Sequence, residues 1–218
     1  MCIRDRYVKT LHFPLWNKQR GIPKAYTRLI QYNDSLFIGT SFMPKEISVE
    51  LMNLKTEKVV NSVNFPLKPK EGEYSRPYEC KIATEMNFIV AAYRYINRLE
   101  IYKLSDQKFQ LNTIIGDANN QYDLYRLNKD NEMILHYSDI VCGKNQIYAL
   151  YRGVKEKELS SANSKIEVYS YDGTHLRTFD LGRSIEKILV DESSMRIYAF
   201  DRNEEKDIVF CYAIESNT

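Results

Sequence analysis

Phe13-Pro-Leu15 recurs as Phe65-Pro-Leu67, and the echo holds register without a gap. Ile30 is answered 52 residues later by Ile82, Phe37-Ile38 by Ile89-Val90, and Ile47 and Val49 by Leu99 and Ile101. One offset kept over so many apolar positions means that the chain is assembled from copies of one supersecondary unit. Each copy must then bury its apolar face on the next. The copies continue with small changes of length. Phe37-Ile-Gly-Thr40, Ile89-Val-Ala-Ala92, Ile147-Tyr-Ala-Leu150 and Ile197-Tyr-Ala-Phe200 superpose as one strand type, their first residues 52, 58 and 50 positions apart. The third residue of each is Gly or Ala, which predicts a close contact between packed sheets at that point.

Within a unit the pattern is β throughout: short runs of Ile, Val, Tyr and Phe alternate with turn residues. Asp139-Ile-Val-Cys142 is followed by the turn Gly143-Lys-Asn-Gln146, then by Gln146-Ile-Tyr-Ala-Leu-Tyr151. After a polar loop comes Lys165-Ile-Glu-Val-Tyr-Ser-Tyr171, and Asp172-Gly173 turns the chain into His175-Leu-Arg-Thr-Phe-Asp-Leu181. Gly173 suits a tight hairpin because it takes positive φ at no steric cost. Four antiparallel strands in roughly 40–50 residues, repeated, specify an all-β fold, a β-propeller of four-stranded blades. The expected blades are 27–66, 79–117, 135–181 and 184–214, the last with three strands. Residues 7–13 read as an additional outer strand, 122–135 as an irregular connection, and 7–218 as a single domain.

The chain of 218 residues is 44% hydrophobic, enough for a packed core. Its 31 Lys+Arg and 29 Asp+Glu leave a formal charge of +2, which argues against general nucleic-acid binding. Gly numbers 8, and no phosphate-loop or dinucleotide motif is present. No run approaches the ~20 apolar residues of a membrane helix. Cys80, Cys142 and Cys211 are 62 and 69 residues apart, with no Cys-x-x-Cys or His spacing. They are expected to be small buried side chains, with no metal, cofactor or disulfide framework. Met1-Cys-Ile-Arg-Asp-Arg6 resembles translated adapter sequence. It is expected to be foreign to the fold, and Cys2 is not read as a lipid-anchoring cysteine.

The stretch Ile147-Tyr-Ala-Leu-Tyr-Arg152, with Ile166-Glu-Val-Tyr-Ser-Tyr-Asp-Gly-Thr174, resembles blades of the TolB-like six-bladed propeller proteins of bacterial envelopes. The similarity is strongest from Asp139 to Asp201 and extends over Tyr7 to Ile214. The resemblance implies a six-bladed propeller, a periplasmic or cell-surface location with a lipid anchor in some members, and a binding or scaffolding role. It brings no catalytic residue set. Six blades of about 50 residues need about 300. The chain therefore reads as about four blades of a longer propeller, or as an unusually small one.

In such a fold, the loops between blades and those joining second to third strands open on one face. Here that face collects residues 14–28, 66–81, 94–98 and 152–165. The first segment holds Lys18, Arg20, Lys24 and Arg28 with Trp16 and Tyr26, and no acidic residue. Arg94, Arg152 and Arg202 fall at one equivalent position directly after the second strand, and Tyr93 and Tyr151 precede two of them. A planar guanidinium can grip a carboxylate through two hydrogen bonds, and Tyr or Trp can lie against a sugar face. The candidate ligand site is therefore Arg94, Arg152, Arg202, Tyr93, Tyr151, Trp16, Arg20 and Lys24. The partners this chemistry fits are an anionic glycan, a carboxylate ligand or an acidic protein surface. The other reading is that the repeated arginines serve the repeated structure, pairing with a neighbouring blade or capping a strand.

Catalysis has less to stand on. His12, His136 and His175 are far apart and in no triad or metal-ligand spacing. Among the first strands, Asp139 is the one carboxylate. The competing function is a metal-assisted hydrolase or lyase of the lactonase-like propeller type, part of whose site lies in further blades.

Overall fold

The computed structural model describes residues 16–17, 22–23, 25–43, 46–53, 55–56, 58–66, 80–85, 87–117, 133–203 and 206–214. The expected strand at 7–13 and most of the connection at 122–135 lie outside these residues. The chain divides into two compact units, Met1–Pro66 and Leu67–Thr218, each described by itself.

In the first unit, β1 (Trp16–Asn17) pairs with β2 (Ile22–Pro23). A four-stranded antiparallel sheet follows in the order β3 (Ala25–Gln31), β4 (Leu36–Met43), β5 (Glu46–Asn53) and β6 (Lys58–Pro66). The Asn33 side chain builds the first turn, accepting from the N–H groups of Ser35 and Leu36 at 3.0 and 2.9 Å. Ile38, Ile47, Val49, Leu51 and Phe65 are buried in this unit.

The second unit carries three antiparallel sheets in sequence. They are β7 (Cys80–Glu85) to β10 (Lys108–Gly116), with β8 at Phe88–Tyr93 and β9 at Arg98–Ser105; β11 (Ile134–Cys142) to β14 (His175–Asp180), with β12 at Gln146–Lys155 and β13 at Lys165–Ser170; and β15 (Lys187–Asp191), β16 (Arg196–Asn203) and β17 (Lys206–Ala213). The first strands meet, β11 lying against β7 on one side and β15 on the other. That is the propeller arrangement. It follows from two-residue periodicity, because alternate residues of the middle sheet face opposite neighbours. Tyr137, Ile147, Ala149 and Tyr169 pack with Val90, Ala92, Leu99 and Ile101 of the preceding sheet. Tyr148, Leu150, Ile166 and Val168 pack with Ile188, Ile197 and Ala199 of the following one. Polar ties span the same seams. The Glu192 carboxylate accepts from the Lys144 N–H at 2.7 Å and the Tyr148 hydroxyl at 3.2 Å, and Phe88 stacks on Tyr171 at 4.1 Å between centroids.

Strand register explains the repeated small residue more specifically than sheet contact alone. Gly39 stands opposite Glu50, Ala91 opposite Glu100 and Ala149 opposite Glu167; in the last sheet Ala199 faces Phe210. A small side chain on the second strand leaves room for a long one on the third. Glu100 and Glu50 are 6% and 4% exposed, so each carboxylate needs partners. Glu100 accepts from Arg98 at 2.6 Å and from the Tyr102 hydroxyl at 2.8 Å. Glu167 accepts from the Tyr169 and Tyr137 hydroxyls at 2.9 and 3.2 Å. Burial, reinforced by these carboxylates, pushes all three phenols well above their ordinary range.

Two expectations change. Cys211 is exposed and Cys80 and Cys142 only half-buried, since Cys211 falls on the outward set of β17. Arg152 and Arg202 lie inside β12 and β16, not directly after them, because both strands run longer than their apolar cores; only Arg94 follows its strand. Turn chemistry is as expected at Gly173, whose φ is +93°. Gly116 is more demanding. Its φ is +83°, and a Cβ there would sit 2.0 Å from the Asn97 carbonyl oxygen. Gly116→Ala is expected to cost more than about 1 kcal/mol, measured by chemical denaturation, since both backbone conformation and space oppose it.

Candidate functional site

Within the second unit, the loop face predicted to carry ligands contains a cleft of ≈ 850 Å³. Its lining joins first strands (Lys81, Ser138, Lys187), the turn after β8 (Arg94), the loop after β12 (Ser160, Ser161, Asn163) and the turn after β14 (Arg183, Ser184, Glu186). Arg152 and Asp201 complete its charged groups. Among the described residues five cations face two carboxylates, with serines and an asparagine, so this lining is cationic and rich in hydrogen-bonding groups.

Its walls are laced together. Ser164 receives the Ile185 N–H on its hydroxyl at 2.7 Å, and its own N–H donates to the Arg183 carbonyl at 2.7 Å. The Ser184 hydroxyl donates to the Leu159 carbonyl at 2.8 Å. The short 3₁₀ turn Glu156–Glu158 opens the loop, and the Tyr95 hydroxyl donates to Glu156.

Arg152 is the centre of this lacing. It is 6% exposed, and its guanidinium donates to the Ile185 carbonyl at 2.5 Å, the Leu159 carbonyl at 2.5 Å and the Ser184 hydroxyl at 2.8 Å. Burial works against its charge, while Glu186 and Asp201 support it. These donors are aimed at protein, so Arg152 shapes the cleft from behind.

Arg94 and Arg183, also in the lining, lie against aromatic rings. The Arg183 guanidinium lies 3.7 Å from the centroid of the Phe210 ring, and that of Arg94 lies 5.5 Å from the Tyr95 centroid. Each planar cation is held against an aromatic ring, which orients it and reduces the rotamer freedom lost on gripping a ligand.

The other predicted site residues separate. Tyr93 is 6% exposed and offers no open ring face. Tyr151 packs on Tyr137 at 5.4 Å and against His136, and its folded-back ring occupies the space beside Gly153. Neither lines the cleft. Trp16 and Arg202 are placed in β1 and β16 as backbone, their side chains outside the described residues, as are Arg20 and Lys24 altogether. His136 is half-buried, and burial lowers its pKa; His175 is exposed and paired with Thr178 at 2.9 Å.

Lys81, Arg183 and Lys187 escaped the sequence reading. Lys81 and Lys187 stand at equivalent first-strand positions, paired with Ala92 and Phe200, each next to the repeated alanine. The repeat is visible in the sequence, but nothing local marks these lysines as lining a cleft.

The match to the TolB-like six-blade propeller family model runs over residues 5–193. The chain belongs to this family. Among solved structures, hydrazine synthase of Kuenenia stuttgartiensis aligns with a TM-score of 0.52 at 12% identity, over 98% of this chain and 50% of that one. The WD40 domain of Toxoplasma gondii coronin aligns with a TM-score of 0.50 at 9% identity, over 86% of this chain and 45% of that one. This TolB-like chain thus spans about half the length of the structures it matches, and at these identities the likeness concerns fold. No curated protein matches it by sequence. Among the described residues, no helix is long and apolar enough to cross a membrane.

Proposed function

We propose that this TolB-like propeller is a non-enzymatic binding protein of the bacterial envelope, and that its cleft holds an anionic, hydroxyl-rich ligand of the acidic-glycan type. The observation that carries this is the pair of ring-backed guanidiniums, Arg94 on Tyr95 and Arg183 on Phe210, opening on one cleft with Lys81 and Lys187. Uronate sugars offer carboxylates to such cations and hydroxyls to Ser138, Ser160, Ser161 and Asn163. Among the described residues the lining holds no aromatic side chain, so the recognition they offer rests on charge and hydrogen bonds rather than on stacking. The envelope location comes from the family resemblance.

The test is calorimetric titration with trigalacturonate. Arg94→Ala combined with Arg183→Ala should weaken binding at least about tenfold, since charge-assisted hydrogen bonds contribute roughly 1.5–3 kcal/mol each. The melting temperature should stay close to the parent's. Unchanged affinity would remove the cleft as the site. The hydrolase reading makes a different forecast: Ca²⁺ or Zn²⁺ at low stoichiometric concentration should raise the melting temperature through tight binding to the folded state.

A further inference from the structure

Three consecutive first strands carry opposite charges at one equivalent position. Ile82, Ile140 and Ile188 are each paired with the repeated alanine (Ala91, Ala149, Ala199), which makes Lys81, Asp139 and Lys187 equivalent residues. Two of the three line the cleft, and Asp139 is the chain neighbour of the lining residue Ser138. Asp139 also reaches across the seam: its Oδ2 accepts the Ile188 N–H at 2.9 Å, directly beside Lys187. Both lysines act on its charge.

We propose that Asp139 is the built-in counter-charge of the cleft, so that its protonation removes a negative charge beside Lys81 and Lys187 and anion binding strengthens in acid. The proposal rests on the anion-binding reading above. While ionised, Asp139 neutralises part of the field that the two lysines present, and a bound anion must compete with it. Once protonated it no longer repels the anion, and the Ile188 N–H keeps its acceptor. Ligand is therefore held in acid and released toward neutrality.

The groups facing Asp139 support that polarity. From β7 comes Lys81. From β15 come Lys187 and the Ile188 N–H, and from β12 the apolar Leu150 opposite it; Glu186 precedes Lys187 in the cleft lining. His136 stands on the same strand, and Arg152 and Asp201 lie elsewhere in the lining. Burial pushes the Asp139 carboxyl up from its ordinary range, against the pull of the Ile188 and Ile140 N–H groups and of the two lysines. Protonation accordingly falls at milder acidity than for a solvated aspartate.

The experiment uses dextran sulfate, whose charge is fixed over the range where a raised carboxyl titrates, with neutral dextran as blank. As the pH falls through the midpoint of the Asp139 carboxyl titration, affinity of the unmodified protein should rise about fivefold or more. Asp139→Asn keeps an acceptor for Ile188 and should bind tightly, with no slope, at both ends. By reciprocity, dextran sulfate should raise the midpoint of the Asp139 carboxyl ¹³C titration in the unmodified protein, a readout independent of any variant's folding. A slope that survives in Asp139→Asn, a flat profile in the parent, or an unmoved midpoint would each overturn the proposal. Absence of binding at every pH would instead overturn the anion-binding reading, and this proposal with it.

Discussion

Ile89→Ala and Ile147→Ala should each destabilise the Leu67–Thr218 unit by about 2–5 kcal/mol, the usual result of emptying a buried aliphatic site. Both side chains are 0% exposed and occupy the same position of the repeat, the first residue of the four-residue strand motif. Their surroundings differ, and so should the cost. Ile147 packs in the seam between two sheets, among Leu99, Ile101 and Tyr137, where close-packed neighbours on both sides limit collapse into the cavity. At roughly 2–4 °C per kcal/mol for a unit of this size, differential scanning calorimetry should show a fall of roughly 4–20 °C. A variant melting within a degree of the parent would mean that the alternation assigned to these strands is out by one residue, since a one-residue shift moves a side chain to the other face.

That such a prediction could be made from sequence shows where the fold was legible. The 52-residue offset is a packing constraint written in apolar residues, and apolar periodicity maps directly onto which face of a strand is buried. The same alternation extends to the buried Glu100 and Glu167, yet their role was hidden. Glu-x-Tyr on a strand looks like a solvated polar residue beside an apolar one. Only the register shows the carboxylate lying over Ala91 or Ala149 with tyrosine hydroxyls turned toward it.

The cleft was legible as a face but not as a set of residues. Loop order alone places the second-to-third-strand loop and the inter-blade turn at one end of the sheets, and Arg94 and the loop after Arg152 do line the cleft there. Which side chains aim into the cleft depends on contacts between distant residues. Arg183 owes its orientation to Phe210, and Tyr151 turns away to Tyr137; neither fact has a local signature. Repetition also misled. Arg94 and Arg152 are equivalent in the repeat but not in use, because the loop after β8 is four residues long and the one after β12 folds back over its arginine.

Arg152 is where that difference can be measured. Arg152→Met keeps much of the side-chain volume and removes every donor, leaving the Leu159 and Ile185 carbonyls without the cation that joins them. Both carbonyls keep a serine donor, Ser184 on Leu159 and Ser164 on Ile185, so the loss is that of the charge-assisted bonds themselves, roughly 1.5–3 kcal/mol each, and a fall of about 3 kcal/mol in denaturant unfolding is expected. Arg152→Lys should recover less than half of this. An ammonium is a compact charge, and it cannot reproduce a planar fork that reaches two carbonyls and the Ser184 hydroxyl together. Binding should separate the two roles of the arginines. In Arg152→Met, anion affinity should fall together with stability, because the loops that carry Ser160, Asn163 and Arg183 lose their common tie. In the Arg94 and Arg183 variants affinity should fall while stability holds. If Arg152→Met instead unfolded like the parent and lost only affinity, its guanidinium would be a ligand contact, and the repeated arginine would after all be a repeated binding group.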